Sequence, residues 1–563
     1  MFGCLVSFPG VSWGLPTLLH PDEGVVVNPA LSMVVNRTFE PNIFWHPNHL
    51  GVQITMLIHR ALVWVHGIHV TDVHLLGTEI LYTSARAVSG LFNVGTIVLA
   101  YKTGSKFEQR KKHVSMIGLV CVFLFSFFPI FITHARYATP DTLTVFFILL
   151  FIYAAFWYME NPSVRNLLIM SFITAGFISV RYTGLILCIM IALLVVTSGA
   201  SDKMLLRIAQ HGFLSVLGVL FFTFLLSPSL ILRFYDVYMH VVMQSDNTAH
   251  LGAHGLGWVG NVRFYVTTYL NASGMFLLIP FVIGCYVICK TIPKGWLLYT
   301  LPLLSSFIYW LALASVDTRW ERWGLPMFVS PLIISAVGIV NGYTLIKHSR
   351  YFGKRRTLAL KGLVVLYTVI VMNFISGASA RLLPFLLPDT RVISQEYTAE
   401  HSIDRSNSAF EGYTPLHPTG PGTVFNVFEW VGDDLLLRPY NYQIQNIILS
   451  GAMFNRFFTE PLMYPKEIDM YLAIKSQYVE VKRFSEVTQL YSMIDIVNIG
   501  HNLSYIVRAL RQGYDGPTLI FYRVDANGEL EIRLMEDYIS LRRMFNDKAE
   551  PNGSLFSASP VRI

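Results

Sequence analysis

Charged residues are scarce in this sequence. Asp, Glu, Lys and Arg make up 14% of the 563 residues, whereas a soluble domain is usually about a quarter charged. Hydrophobic residues make up 53%, and the mean hydropathy is +0.50. Apolar runs of about 20 residues recur, which is the helix length that crosses a hydrocarbon core. Because these runs are continuous rather than alternating, they favour helices over a membrane barrel. We predict a polytopic α-helical membrane protein.

Cysteine is also scarce. The five cysteines are Cys4, Cys121, Cys188, Cys285 and Cys289. All lie in or beside apolar segments, so neither a disulfide framework nor a CxxC metal site is supported. The sequence also lacks an internal repeat, a low-complexity tract and the basic start and small-residue cleavage site of a signal peptide. The first apolar segment, 1–19, is therefore interpreted as a signal-anchor helix.

The apolar runs predict about eleven transmembrane helices. They lie near residues 1–19, 79–101, 114–133, 142–160, 165–180, 183–198, 208–231, 263–289, 295–315, 324–346 and 362–386. Segments 24–35 and 49–68 are interpreted as interfacial helices. His59, Arg60 and His66 interrupt the second of them, which is typical of a helix that lies in the membrane interface.

Two basic segments predict the orientation. Residues 102–113 contain five Lys or Arg and one acid, and residues 347–361 contain six and no acid. The positive-inside rule assigns both to the cytoplasm. The alternation of spans then predicts that 20–78, 134–141, 232–262, 316–323 and everything after about 387 lie on the outer face. These two basic segments largely explain the net charge of +7, so the charge does not indicate a nucleic-acid partner.

The composition changes after Leu387. Residues 388–563 are more charged, with short β-like runs (TVFNVFEWV, TLIFYRV, LEIRL) and turn signals (TGPG, DANG). We predict a transmembrane domain over 1–387, with 20–78 as its first outer loop. A separate extracytoplasmic α/β or α+β domain is predicted over 388–563.

Two polar clusters in the predicted outer loops contain carboxylates. HPDE contains Asp22 and Glu23, which suit a general base or a metal site, although acids at an exposed helix end would look the same. HARYATPD contains His134, Arg136 and Asp141. Pro followed by Asp is ordinary at a helix start, but a lone arginine at a membrane face tends to bind an anion or a carboxylate.

Four further clusters contribute histidine and arginine. FWHPNHLG contains His46, which could bind a metal or belong to an interfacial aromatic belt. DTRWERWGLP contains Arg319 and Arg322, which could form a fork for phosphate, although its tryptophans are ordinary interfacial anchors. HLGAHGLGW contains His254 and could be a mobile lid or a plain connection. SVRYTG contains Arg181, for which snorkelling to the interface is the alternative.

Together these clusters bring carboxylates and arginines from at least four loops to one side of the membrane. Transport paths tend to carry ionisable groups near the bilayer midplane, and the predicted span interiors are nearly free of them. A surface site with cations for phosphate and a carboxylate base suits a lipid-phosphate substrate. A polytopic transporter or flippase, and a non-catalytic assembly subunit with an outer domain, are the alternative interpretations.

Six short motifs follow one another between about residues 10 and 390. They are GLPTLLHPDE, FWHPN, RAVSGLFNVGTIVLAY, HARYATPDTLTVFFILL, RYTGLIL and RWERWGLPMF. In this order the sequence resembles the GT-C fold glycosyltransferases. It is most similar to the branch that holds the protein O-mannosyltransferases and the bacterial lipid A aminoarabinose transferases. The family's HPP motif is HPN here, at 46–48, and the lysine often found at position 181 is an arginine.

The resemblance implies a membrane glycosyltransferase that moves a sugar from a polyprenyl-phosphate donor to an acceptor. It implies Asp22 as the catalytic base, Glu23 as a residue that orients it, Asp141 as the second-loop acid, and inversion at the anomeric carbon. The implied substrate-binding residues are Arg136, Arg181, Arg319, Arg322, His46 and His134. A divalent metal ion is a possible cofactor, and its possible ligands are His20, Glu23, His46 and His254.

The resemblance also implies the setting of the reaction. The active site would face the outside or the lumen, in a bacterial or archaeal plasma membrane or in the endoplasmic reticulum. The expected partners are the lipid donor, the membrane lipids and a protein, lipid or glycan acceptor, with no nucleic acid. The sequence does not decide the sugar, the acceptor or the type of polyprenyl carrier.

Overall fold

The computed structural model describes most of the chain as two compact units. The residues outside this description are 1, 42, 45–47, 109–113, 199–203, 241–256, 292–295, 317–318, 349–352, 405, 407, 416–444, 459–463, 488–497 and 524–563. Unit 1 consists of Met1–Trp13, Asp22–Leu386 and Met493–Ile506. Unit 2 consists of Gly14–Pro21, Leu387–Ser492 and Val507–Ile563. The transferase and outer-domain roles assigned to 1–387 and 388–563 stay predictions.

Unit 1 is built from helices. They are α1 Phe2–Ser7, α2 Gly24–Val35, α3 His49–Val65, α4 Gly77–Ser105, α5 Met116–Ser126, α6 Pro129–His134, α7 Asp141–Glu160, α8 Val164–Val180, α9 Ile186–Thr197, α10 Met204–Leu226, α11 Pro228–Leu232, α12 Gly257–Ser273, α13 Leu278–Thr291, α14 Trp296–Ala314, α15 Val329–His348 and α16 Arg356–Leu382. Three 3-10 helices adjoin the site described below: Pro21–Glu23, Tyr182–Leu185 and Glu321–Phe328. Thus the site residues sit at helix ends and tight turns.

Helix α7 lies in the core of unit 1. Its sequence, DTLTVFFILLFIYAAFWYME, is apolar on every side, and most of its residues are buried. A helix that is hydrophobic all round belongs inside a large core or a membrane. Pro140 precedes the helix and Asp141 begins it, an order that suits a helix start. The packing of α7 therefore fixes the position of Asp141.

Four helices among the described residues are long and apolar enough to cross a membrane. They are Asp141–Glu160, Leu205–Leu226, Glu321–His348 and Arg356–Phe385, and the bent pair Gly257–Ser273 with Met275–Lys290 would make a fifth. Shorter apolar helices occupy Met116–Ser126, Val164–Val180, Tyr182–Thr197 and Tyr299–Ala314. The predicted class, a helical integral membrane protein, is confirmed. The count of about eleven spans and the orientation stay predictions.

Two predicted spans are interrupted in the structure. The apolar run 114–133 forms two helices, because α5 ends at Ser126 and α6 begins at Pro129, whose ring cannot supply a helical N–H. The run 263–289 bends by 97° at Gly274, whose φ of +77° is readily adopted only by glycine. Hydropathy alone does not register either interruption.

The prediction of one signal-anchor helix over 1–19 is wrong. Helix α1 spans only Phe2–Ser7, and turns follow it. Pro9 and Gly10 follow this helix after Phe8, and these two residue types have the lowest helix propensities. The apolar composition of the segment therefore does not reflect one continuous helix.

Unit 2 contains a four-stranded mixed sheet. Its strands are β1 Ser408–Phe410, β2 Asn446–Ser450, β3 Val479–Phe484 and β4 Leu519–Arg523, in the order β1-β2-β4-β3. The β1–β2 pair is parallel, and β2–β4 and β3–β4 are antiparallel. The helices are α17 Thr390–Glu400, α18 Gly451–Phe458 and α19 Pro465–Gln477, and α20 Ile499–Gln512 ends in this unit.

The mixed sheet with helices confirms that the C-terminal region has the predicted α/β or α+β fold. The run TLIFYRV contains β4, as expected. The runs TVFNVFEWV and LEIRL and the turns TGPG and DANG lie outside the described residues. Strand β2 is buried throughout, with Ile447 in one hydrophobic cluster and Ile448 in another, because successive side chains point to opposite faces of a sheet.

Candidate active site

One pocket of unit 1 collects residues that are far apart in the sequence. It is lined by Asp22, Val25, Val26, Asn48, Thr139, Pro140, Asp141, Arg181, Arg322 and Trp323. It contains about 360 Å³ of empty space, which includes space open to solvent. Asp22, Asp141, Arg181 and Arg322 were all predicted from the sequence as site residues. The structure brings these four together.

Asp22 is the most accessible carboxylate of the predicted catalytic set. It lies in the 3-10 helix Pro21–Glu23, and its side chain is 27% exposed. Nη1 of Arg322 donates a hydrogen bond to Oδ2 of Asp22, across 300 positions of sequence. The guanidinium of Arg322 also lies 5.5 Å from the centre of the Trp320 ring, within the range of a cation–π contact. This ion pair therefore faces the pocket and remains partly solvated.

Asp141 is almost completely buried and has several partners. Nη2 of Arg181 donates to Oδ1 of Asp141 at 2.9 Å, and the Thr139 hydroxyl donates to Oδ2 at 2.9 Å. Nδ1 of His134 lies 3.4 Å from the same Oδ2 atom. The carboxylate also sits at the start of α7, where the helix dipole favours a negative charge. Asp141 is thus held as a fixed, paired charge at the pocket wall.

Arg181 bridges Asp141 and the pocket. Its Nη1 atom is buried and makes no hydrogen bond of standard geometry within the described part of the chain. The guanidinium lies 6.0 Å from the centre of the Trp323 ring. An arginine has five N–H donors in a planar fork, so this group keeps donor capacity after binding Asp141.

Glu23, the neighbour of Asp22, is fully buried and does not line the pocket. Its two oxygens accept hydrogen bonds from Nε and Nη2 of Arg86, both at 2.7 Å. The backbone N–H of Ala138 also donates to Oε1, at 2.9 Å. Nη1 of Arg86 donates to the carbonyl oxygens of Val11 and Trp13. This hydrogen-bond network joins the 3-10 helix Pro21–Glu23 and the turn at Val11 and Trp13 to α4 and to the segment before α7.

Arg136 is also fully buried, and its donors are taken by backbone carbonyls. Nε donates to Pro9 and Nη2 to Val6, both at 2.7 Å, and Nη1 donates to Ile132. Burial lowers the pKa of Arg136 to about 10, and the neighbouring Tyr137 opposes that shift, so the group is charged at neutral pH. The structure does not bring Arg136 to the pocket, because its guanidinium ties the N-terminal segment to α6.

The other predicted substrate-binding residues lie away from the pocket lining or outside the description. Arg319 places its guanidinium 5.0 Å from the Phe264 ring centre and does not line the pocket. His134 lies 3.4 Å from the Asp141 carboxylate and does not line the pocket. His46 and His254 lie outside the described residues, so their predicted roles stay predictions.

The predicted metal ligands do not assemble in the described part of the chain. Both oxygens of Glu23 accept hydrogen bonds from Arg86. No group of three or more His, Cys, Asp or Glu side chains among the described residues is arranged to hold a metal ion. His46 and His254 lie outside the described residues, so the metal set that the sequence suggested stays a prediction.

Sequence reasoning missed three residues of this region. Arg86 holds Glu23, Thr139 binds Asp141, and Asn48 lines the pocket. Arg86 carried a usable signal, because a single arginine inside an apolar helix is costly and needs a partner. Asn48 is the third residue of HPN, the position at which the sequence departs from HPP. Thr139 carried no sequence signal, since its role depends on the conformation of the turn before α7.

The helical membrane fold and the paired charges of the pocket agree with the predicted class, a membrane glycosyltransferase that takes its sugar from a lipid-phosphate donor. A family comparison bears out this class. Residues 74–231 match the family model described as dolichyl-phosphate-mannose-protein mannosyltransferase. This segment contains Asp141 and Arg181, and the match confirms the predicted resemblance for the residues it covers. A search of the curated proteins gave no match.

A search of the solved structures also gave matches. The archaeal oligosaccharyltransferase AglB from Archaeoglobus fulgidus, in complex with an inhibitory peptide and a dolichol-phosphate, has 10% identity and a TM-score of 0.48, with 93% of this chain and 88% of that chain covered. AglB in complex with Zn and sulfate has 10% identity and a TM-score of 0.45, with coverages of 86% and 71%. ArnT from Cupriavidus metallidurans, bound to undecaprenyl phosphate, has 11% identity and a TM-score of 0.43, with coverages of 94% and 98%.

Proposed function

We propose that this pocket is the active site of a glycosyltransferase that moves a sugar from a polyprenyl-phosphate donor to an acceptor hydroxyl. One observation carries the proposal: two carboxylate–arginine pairs, Asp22–Arg322 and Asp141–Arg181, line a single pocket. The reaction needs a base for the acceptor and cations for the leaving phosphate. Both chemical groups are present in this pocket.

Asp22 is the proposed base. Of the three carboxylates near the pocket, only its side chain is appreciably exposed, at 27%, compared with 1% for Asp141 and 0% for Glu23. A general base must come within hydrogen-bond reach of the proton it removes. Asp141 and Glu23 are buried and bound by several donors, so they are better suited to positioning other groups.

Arg322 and Arg181 are the proposed phosphate ligands. Guanidinium groups match the geometry of phosphate oxygens and can donate two parallel hydrogen bonds. Negative charge grows on the phosphate as its bond to the sugar breaks. Fixed cations at that point stabilise the transition state more than the ground state. The guanidiniums of Arg322 and Arg181 lie 5.5 Å and 6.0 Å from the ring centres of Trp320 and Trp323, respectively, within the range of cation–π contacts.

The proposed step is a single displacement at the anomeric carbon. The acceptor oxygen forms a bond to that carbon while its proton passes to Asp22. The bond between the anomeric carbon and the phosphate oxygen breaks, and its electron pair leaves with the polyprenyl phosphate. Because the oxygen attacks opposite the leaving group, the anomeric configuration is inverted.

Arg322 has two roles in this scheme. It pairs with Asp22 in the structure, and a phosphate in the pocket would compete for the same donors. Donor binding would thus draw Arg322 towards the phosphate and leave the Asp22 carboxylate able to accept the proton. The base would be set free only when a lipid donor is bound, on the outer or lumenal face that the basic loops predict.

Transfer of radiolabelled sugar tests the proposal. Purified protein in nanodiscs is given a panel of polyprenyl-phosphate sugars, and sugar release is compared between wild type and Asp22→Asn. Loss of a general base should lower the rate about 10²–10⁴-fold while donor binding is retained. Asp236→Asn is a matched control, because Asp236 forms an exposed ion pair with Arg233 outside the pocket lining. Equal rates in wild type and Asp22→Asn would remove Asp22 from the chemistry.

A further inference from the structure

Asn48 lines the pocket and has a buried amide oxygen that is unpaired among the described residues. Its side chain is 4% exposed, and Oδ1 has no hydrogen-bond partner among the described residues. The same residue lines the pocket together with Asp22, Asp141, Arg181 and Arg322. A buried acceptor without a donor destabilises the folded state. Such a group at the wall of an active site indicates a ligand that supplies the missing donor.

The Asn48 side chain does not cap the helix that begins after it. Asn48 is the N-cap residue of α3, where an asparagine side chain usually accepts a hydrogen bond from the N–H of the second or third helical residue. No such cap hydrogen bond is present. The amide instead lies over Gly51, where an added Cβ would come within 2.4 Å of Oδ1 and 2.5 Å of Nδ2. Gly51 therefore leaves the space that the Asn48 side chain occupies.

The charges of the pocket indicate which chemical group of a substrate would donate a hydrogen bond to Oδ1 of Asn48. A phosphate group at neutral pH mainly accepts hydrogen bonds, so it suits Arg322 and Arg181 and is repelled by an amide oxygen. A sugar hydroxyl can donate to Oδ1, and the sugar is bonded directly to the phosphate. The unpaired acceptor and the two arginines line the same pocket, as recognition of both groups of one lipid donor requires.

We propose that Oδ1 of Asn48 accepts a hydrogen bond from a hydroxyl of the donor sugar, so that Asn48 distinguishes the sugar-bearing lipid from the bare carrier. This inference rests on the proposed function and adds a specificity-determining residue to it. A site that hydrogen-bonds a hydroxyl discriminates against a ligand that lacks it, because its polar group is then left unpaired.

Binding of two lipids tests the inference. Dissociation constants for dolichyl-phosphate mannose and for dolichyl phosphate are measured on the full chain in nanodiscs, for wild type and for Asn48→Ala. One lost hydrogen bond of about 1.4 kcal/mol corresponds to about a tenfold loss of affinity. We expect that loss for the mannose-bearing lipid, with unchanged affinity for the bare lipid.

Two variants keep the test decisive. Gly51→Ala should displace the Asn48 amide without removing it and should cause a smaller loss for the same lipid. Asn373→Ala is the matched control, because Asn373 is also 4% exposed with an unpaired Oδ1 but does not line the pocket. It should leave both dissociation constants unchanged. A thermal melt of each variant verifies that the fold is intact.

Each contrary result has a distinct meaning. Equal loss for both lipids in Asn48→Ala, no loss for either, or an altered KM for the acceptor alone would overturn the role of Asn48 in sugar binding. In that case Arg322→Gln would still weaken binding of the bare lipid, and the proposed function would stand. If Arg322→Gln binds both lipids as wild type does, the phosphate site is wrong, and both proposals are overturned.

Discussion

Asp22 and Glu23 are adjacent in the sequence and each pairs with an arginine, yet their surroundings differ completely. The Glu23–Arg86 pair is 0% exposed on both sides, with two hydrogen bonds at 2.7 Å. The Asp22–Arg322 pair is 27% and 22% exposed and lines a pocket. A fully buried pair in which both carboxylate oxygens accept hydrogen bonds from the arginine is suited to holding the structure together. A partly exposed pair can exchange one partner for a ligand, which is what a transfer reaction needs.

Breaking the buried pair should give the largest effect on stability. Arg86→Ala leaves the Glu23 carboxylate buried without its cation, and it also removes the donor to the Val11 and Trp13 carbonyls. Removal of one partner from a buried pair costs about 3–5 kcal/mol. We expect a large fall in the midpoint of thermal or denaturant unfolding in detergent.

A surface pair of unit 1 is the control for that experiment. Lys106 and Glu160 form an ion pair with side chains 22% and 43% exposed. Lys106→Met should change the free energy of unfolding by about 1 kcal/mol or less. If Arg86→Ala lowers the free energy of unfolding no more than Lys106→Met does, the Glu23 network does not stabilise the fold. The proposed difference between the Glu23 and Asp22 pairs would then be wrong.

The contrast between the two pairs also shows what the sequence could and could not predict. The helical membrane class followed from long apolar runs, and the pocket residues Asp22, Asp141, Arg181 and Arg322 followed from the ordered motifs. The exposure of each side chain could not be predicted from the sequence. Neighbouring residues such as Asp22 and Glu23 have different surroundings only once the turn that contains them has formed. Arg136 shows the same limit, since its carbonyl partners come from α1, α6 and the turn between α1 and the site.

Glu411 of unit 2 shows what happens to a buried carboxylate without a paired cation. Its oxygens accept hydrogen bonds from the Ser450 backbone N–H, at 2.8 Å, and from the Tyr471 hydroxyl. Burial raises the pKa of Glu411 to about 7, although these hydrogen bonds and the charge of Arg456 act in the opposite direction. The folded state therefore binds this proton more tightly than the unfolded chain, in which the pKa is about 4.3.

Stability of unit 2 should consequently depend on pH. The stabilisation from the bound proton is fully present below about pH 4.3 and is lost as the pH rises to about 7, for a total of about 4 kcal/mol. Hydrogen-exchange protection of the β2 amides, corrected for intrinsic rates, should decrease over this interval. Glu411→Gln, which cannot ionise, should remove the dependence, and an unchanged slope in that variant would assign it to another group.

Breaking the Asp22–Arg322 pair should have the smallest effect on stability and the largest effect on the rate of sugar transfer. Asp22→Asn removes the charge that faces Arg322, but both side chains are partly solvated, and such ion pairs contribute about 0–1 kcal/mol. The unfolding midpoint should thus stay close to that of wild type, although sugar transfer falls about 10²–10⁴-fold. Parallel unfolding and transfer measurements on the same nanodisc preparation test this separation. If Asp22→Asn unfolds as readily as Arg86→Ala, its lost activity reflects a damaged fold, and Asp22 would belong with Glu23 as a structural residue.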